Sequence, residues 1–101
     1  DAPELASIGG VAAPFAAPNP FRGETSIRFV VPEAGPVALE LFDASGARVR
    51  QLVAGEDLSR GAHAISWDGR AEDGRSLANG VYFLRLAARG HSATGRVLLT
   101  R

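Results

Sequence analysis

The stretch WDGRAEDGRSLANGVYF, from Trp67 to Phe83, contains the only tryptophan and the only tyrosine of the chain. It also contains two Asp-Gly pairs and one Asn-Gly pair. These pairs are turn signals, because Gly adopts positive φ without steric cost and Asx side chains bond to nearby backbone. AHAISW runs into the stretch and VYFLRLAA runs out of it, and both have strand-like compositions. The stretch therefore predicts two core strands joined by a long, tightly turned loop, with its three turn glycines at positive φ.

The rest of the chain alternates apolar and polar residues with a period of two, and no segment has a sustained helical period. Beside the strand that ends at Trp67, the predicted strands are Thr25–Val31, Val37–Asp43, Arg48–Ala54, Val81–Ala87 and Thr94–Thr100. The segment Gly55–Gly61 is predicted to be a polar loop. Short strands separated by turn signals at intervals of about ten residues are typical of a β-sandwich. We predict an all-β, immunoglobulin-like β-sandwich of about seven short antiparallel strands, without a disulfide.

Composition limits the possible functions. The 101 residues correspond to one domain, and the apolar and charged fractions, 46% and 22%, are those of a globular protein. The formal net charge is zero, which gives no reason to expect nucleic acid or an anionic membrane as a partner. Because cysteine is absent, disulfides, zinc–thiolate sites and cysteine nucleophiles are excluded. We find no signal peptide and no apolar run long enough to span a bilayer.

The first residues are rich in Ala, Pro and Gly, and they have no charge between Glu4 and Phe15. We divide the chain into a linker or N-terminal extension, 1–10, and an immunoglobulin-like domain, 11–101. Two interpretations of the N-terminal segment stay open: a plain linker, or an edge strand over Ser7–Phe15 with prolines near its ends. Such a strand would dock on its own sheet or on that of a neighbouring copy. The apolar side chains available for strand addition are those of Leu5, Ile8, Val11 and Phe15.

Several short motifs follow one another along the chain. They are Pro18-Asn19-Pro20-Phe21, LELFDASGARVRQL over Leu39–Leu52, Gly61-Ala62-His63, Trp67-Asp68-Gly69-Arg70, Asp73-Gly74, Asn79-Gly80-Val81-Tyr82-Phe83 and Gly95-Arg96-Val97-Leu98-Leu99. In this order and spacing, the chain from about Val11 to its end resembles the C-terminal sorting domains of proteins exported by the bacterial type IX secretion system. It is also similar to the related immunoglobulin-like domain of the flagellar hook-capping protein. Two departures are Arg96, where sorting tails often carry Lys, and Arg22-Gly23, where a second Asn is usual.

The resemblance implies a folded tail that an export machine reads, on a protein that is extracellular or at the cell surface. Its partners would be proteins: the secretion machinery, a cargo domain or identical copies. The alternative is a stand-alone structural subunit of an extracellular filament, assembled by adding the N-terminal segment to the open sheet edge of a neighbouring copy.

Chemical sites are few. Asp68, Glu72 and Asp73 lie within one loop, and oxygen-rich loops can hold calcium, but turn formation explains these residues directly. His63 and His91 could form an acid–base pair, yet His63 shares a strand face with the core, which favours a structural histidine. No nucleophile elbow and no phosphate-binding glycine loop are present. We expect no enzyme activity, no metal or other cofactor, no small-molecule substrate, no nucleic acid and no membrane insertion.

The basic residues are all Arg, and no acidic residue follows Asp73. Two interpretations of this asymmetry stay open. Strands from the first half could bring Glu40 or Asp43 beside the basic C-terminal strands, or the last hairpin could present its positive charge to a partner.

Overall fold

Residues 12–101 are described by the computed structural model, and they form seven strands in two antiparallel sheets. The strands are β1 Phe15–Ala17, β2 Thr25–Val31, β3 Gly35–Phe42, β4 Arg48–Leu58, β5 Gly61–Trp67, β6 Gly80–Ala88 and β7 His91–Leu99. One sheet has the order β1-β2-β5 and the other the order β4-β3-β6-β7. The chain changes sheet after β2, β4 and β5, and the two antiparallel sheets confirm the predicted immunoglobulin-like sandwich. This part of the chain contains no helix that is long and apolar enough to cross a membrane.

The core lies between the two sheets and follows the period-two pattern of the sequence. In β2, for example, Thr25, Ile27, Phe29 and Val31 are buried and alternate with more exposed residues. β3, β6 and β7 contribute the facing layer with the buried side chains of Val37, Leu39, Leu41, Leu84, Leu86, Val97 and Leu99. Alternation along a strand places every second side chain on one face, so the apolar pattern selects the face that is buried.

The polar loop predicted over Gly55–Gly61 is wrong, because β4 continues to Leu58. Its pairing with β3 extends to Gly35 opposite Leu58, and the register shifts between Pro36 and Ala38. Gly55, at a φ of 92°, lies at this irregularity. A glycine inside a strand can mark a bulge rather than its end, and here the strand resumes beyond it.

The N-terminal edge strand is later and shorter than predicted. Within the predicted span Ser7–Phe15, the described residues Ala12–Pro14 have no regular structure, and β1 begins at Phe15. β1 pairs antiparallel with β2 of the same chain. Leu5, Ile8 and Val11 lie outside the described residues. The proposed domain boundary at residues 10 and 11 therefore stays a prediction.

Candidate functional site

Three large aromatic side chains from separate motifs meet at one end of the sandwich. The ring centroids of Phe21 and Trp67 are 5.4 Å apart, and those of Trp67 and Tyr82 are 5.8 Å apart with an edge-on geometry. All three residues are buried, and Trp67 is only 1% exposed. Tilted and edge-on contacts of this kind add to the energy of burial. Trp67 and Tyr82 are thus core anchors rather than ligand platforms.

The polar atoms of these rings bond to backbone within the same end of the molecule. Trp67 Nε1 donates to the carbonyl oxygen of Arg70 at 3.0 Å. The Tyr82 hydroxyl donates to the carbonyl oxygen of Ala78 at 2.6 Å, as in the tyrosine corner of immunoglobulin-like sandwiches. Burial, followed by the negative charge of Asp43, raises the pKa of Tyr82. The rings therefore fix the loop between β5 and β6 as well as the core.

The Pro18–Phe21 motif connects the two sheets. The Asn19 side chain clamps the last strand, because its Nδ2 donates to the Arg96 carbonyl oxygen at 3.2 Å and its Oδ1 accepts from the Leu98 amide at 2.9 Å. Phe21 then forms a parallel bridge with Leu99, and its amide donates to the Leu98 carbonyl oxygen at 3.0 Å. After β1, which pairs with β2, the chain thus crosses to the other sheet and lies along β7. The sequence motif by itself does not indicate these Asn19 bonds.

The two Asx-Gly pairs at Asp68 and Asn79 hold the C-terminal residue. Asn79 Oδ1 accepts from the Arg101 amide at 3.0 Å, and Arg101 Nη2 donates to the Gly69 carbonyl oxygen at 2.8 Å. Gly69 has a φ of 76°, and a Cβ there would lie 2.9 Å from Arg101 Nη2. A side chain at this position would therefore meet both backbone strain and the Arg101 contact.

The predicted positive φ is confirmed at all three turn glycines: 76° at Gly69, 89° at Gly74 and 148° at Gly80. Gly74 lies in a tight turn in which the Asp73 side chain accepts from the Arg75 amide at 3.0 Å. Gly80 instead begins β6. Its positive φ therefore occurs at the first residue of a strand and not at the centre of a turn.

The loop carboxylates are held separately. Asp68 Oδ1 accepts from Arg50 at 3.3 Å and from the Arg70 amide at 3.1 Å, whereas Glu72 Oε1 accepts from the Gln51 amide at 2.9 Å. Asp68 thus closes a turn and Glu72 bonds to β4. Within residues 12–101, no three His, Cys, Asp or Glu side chains are grouped as metal ligands would be.

The two histidines lie on different sheets. His63 in β5 stacks on Phe29, with centroids 5.5 Å apart and planes inclined by 18°. Its Nε2 donates to the Ser59 carbonyl oxygen at 2.8 Å. His91 begins β7 in the four-stranded sheet. The contacts of His63 are those of a structural residue at the sheet edge.

The sheet register brings one acidic residue beside the C-terminal strands. Glu40 lies opposite Arg85, and its carboxylate pairs with Arg48 at 2.8 Å. Within the described part of the chain, no carboxylate is within ion-pair distance of Arg85 or Arg96. Both arginines are exposed. The outer face of the last hairpin is therefore only partly neutralised.

Comparison with known proteins gives a consistent family assignment. The family model of the FlgD Ig-like domain matches residues 19–92. PorU from Porphyromonas gingivalis, crystallised in a dimeric latent form, has a TM-score of 0.68 and 20% identity over 86% of this chain. PorZ, a surface component of the type IX secretion system of the same organism, has a TM-score of 0.60 and 20% identity over 87%. FlgD from Xanthomonas campestris has a TM-score of 0.58 and 26% identity over 87%.

The chain is a small part of two of these proteins. It spans 9% of PorU, 11% of PorZ and 62% of the Xanthomonas FlgD. No curated protein matches it in sequence. The likeness to PorU and PorZ establishes the shared fold.

Proposed function

The chain belongs to the FlgD Ig-like domain family, and from this premise we propose that it is a non-enzymatic module of an exported bacterial protein. In this proposal it acts at the cell surface or outside the cell, through contacts with other proteins. Its specific role is that of a C-terminal sorting or anchoring domain read by the type IX secretion machinery.

The observation that carries this proposal is the way in which the motif residues hold the C-terminal strand. Asn19 and Phe21 bond to the backbone of β7, and Asn79 accepts from the amide of Arg101. The residues up to Arg101 are therefore part of the folded body. A machine that recognises this tail would read a folded surface rather than an extended peptide.

The exposed side chains on that surface include two arginines. Arg96 is held through its backbone by Asn19, which leaves its side chain exposed. In the neighbouring strand β6, Arg85 is exposed as well. These two guanidinium groups would form a positively charged recognition surface with a fixed geometry.

The test is export of a reporter protein fused before this chain in a bacterium that has a type IX system. The double variant Arg85→Glu/Arg96→Glu should fold and fail to be exported. Arg28→Glu is the matched control, because Arg28 is exposed on the other sheet. Export of the double variant at the level of the control would contradict recognition through this face. Retention of the unmodified fusion in the cell would contradict the sorting role itself.

The second candidate function is that of a filament subunit, and the apolar N-terminal residues Leu5, Ile8 and Val11 favour it. In this alternative the segment adds as a strand to a neighbouring copy, and such head-to-tail contacts can propagate. Light scattering on the full chain and on a chain lacking residues 1–11 tests it. This deletion keeps the buried Pro14. Polymers that are lost on deletion support the filament, whereas a monomeric or dimeric full chain at high concentration contradicts it.

A further inference from the structure

Two of the four edge strands are protected from pairing by their neighbours or their length. β1 has three residues and is followed by Pro18. β7 is covered along its C-terminal part by the bonds from Asn19 and Phe21. Short edge strands, prolines and covering segments are ways in which proteins prevent edge-to-edge association.

β4 is protected in another way. Its register with β3 is interrupted by bulges. On its outer side, the Glu72 amide donates to the Val49 carbonyl oxygen at 2.9 Å, and the Glu72 side chain accepts from the Gln51 amide. The loop after β5 therefore occupies part of the hydrogen-bonding edge of this strand.

β5 has none of these protections in the described part of the chain. Between Gly61 and Trp67 it contains no Asp, Glu, Lys, Arg or Pro, and its register with β2 is unbroken. Its outward side chains are small and exposed: Ala62, Ala64 and Ser66. Within residues 12–101, no segment other than β2 forms a hydrogen bond with its backbone. β5 is therefore a regular strand with an open backbone edge.

Opposite charges flank this edge symmetrically. Arg60 precedes β5 and Asp68 follows it, each four residues from Ala64. Both residues are exposed. Within the described residues Arg60 has no carboxylate at ion-pair distance. The strand thus carries opposite charges at equal distances from its centre, although the Asp68 carboxylate also accepts from Arg50 at 3.3 Å within its own chain.

We infer that the outer edge of β5 is a homodimer interface, in which β5 pairs antiparallel with β5 of a second copy about a two-fold axis at Ala64. In this register Arg60 of each copy lies opposite Asp68 of the other. A shift of two residues in one direction would place Arg60 opposite Arg70 instead, so the charges select the register. The product is a continuous sheet of six strands, three from each copy. A two-fold contact closes on itself, so it forms dimers and not filaments.

The inner face of β5 is consistent with a missing neighbour. Ile65 is on the core side of the strand but is only half-buried. In the inferred pair it lies opposite His63 of the other copy. Pairing would therefore cover apolar surface that a single sandwich leaves partly exposed, in addition to satisfying the open backbone groups.

Analytical ultracentrifugation of the full chain over a wide range of concentration tests the inference. We expect a reversible monomer–dimer equilibrium. Ala64→Lys places two like charges opposite each other at the axis and should raise the dimer Kd about fivefold or more. Ala54→Lys is the matched control, because Ala54 is an exposed alanine of the edge strand β4. It should leave the Kd unchanged. Circular dichroism of each variant checks that the monomer is folded.

A charge exchange tests the register directly. Arg60→Glu alone and Asp68→Arg alone each place like charges opposite one another at both ends of the pair, and each should weaken its own dimer. A mixture of the two variants restores both opposite-charge pairs and should form a heterodimer.

A full chain that stays monomeric at millimolar concentration would overturn the inference. So would dimers that are unaffected by Ala64→Lys, or polymers that only removal of residues 1–11 abolishes. A mixture of the charge variants that fails to associate while the unmodified chain dimerises would overturn the register. None of these results depends on whether the chain directs export.

Discussion

The contact between Gly95 and the segment before β1 gives the sharpest test of the fold. The carbonyl oxygen of Pro14 occupies the space that a Cβ at Gly95 would require, and the Leu84 side chain lies 3.7 Å away. Backbone, unlike the end of a flexible side chain, cannot move aside without moving its chain. Gly95→Ala should therefore displace Pro14 from β7 and leave the rest of the sandwich in place.

The size of the effect follows from the burial of Pro14, whose side chain is less than 2% exposed. At about 0.8 kcal/mol per buried methylene, complete exposure of the proline ring would cost about 2.4 kcal/mol. Replacing Gly by Ala within a strand returns about 0.5–1 kcal/mol. We expect a net loss of about 1.5 kcal/mol in the free energy of unfolding, which for a domain of this size lowers the Tm by about 6–12 °C.

Thermal and urea unfolding, followed by circular dichroism, measure this change. Gly23→Ala is the matched control, because a Cβ at Gly23 meets no atom within 4 Å. It should change the stability by no more than about 0.5 kcal/mol. In a chain that lacks residues 1–14 the clash partner is gone, and Gly95→Ala should then be neutral or stabilising. Equal midpoints for Gly95→Ala and Gly23→Ala in the full chain would refute the contact.

Three other predictions concern the aromatic end and the β3–β4 hairpin. Trp67→Ala should destabilise by about 3–5 kcal/mol, because it empties a fully buried site, and urea unfolding measures the loss. Tyr82→Phe removes the bond to the Ala78 carbonyl oxygen and should cost about 1 kcal/mol in the same assay. The Ser45 hydroxyl, followed by the amide of Ala47, lowers the pKa of Asp43 from its ordinary value of 3.8. The stability that Asp43 contributes is therefore present above this value and is lost as the pH falls through the lowered pKa. Ser45→Ala should raise the Asp43 pKa, as measured by NMR titration, and an unshifted pKa would contradict the assigned cause.

The sequence by itself determined which faces of the core strands are buried, although it missed the end of β4 and the bounds of β1. Apolar residues at every second position of β2 and β3 select one face of each strand, and this relation is local. The Asx-Gly pairs likewise predicted positive φ at Gly69 and Gly74, because steric preference at a turn depends on only a few neighbouring residues.

Only the tertiary structure decided how distant segments meet. The Asn19 clamp joins residues that are 77 and 79 positions apart, and nothing local to Asn19 indicates them. In the sequence, Gly95 is an ordinary glycine of a strand, and only the structure shows that Pro14 lies against it. The sequence likewise favours an end of β4 at Gly55, whereas the pairing with β3 continues beyond it. The open edge of β5 also follows only from the pairing of distant strands. Period-two patterning specifies which face of a strand is buried. Whether a strand has a neighbour on each side depends on which distant strands pair with it, and long-range packing determines that pairing.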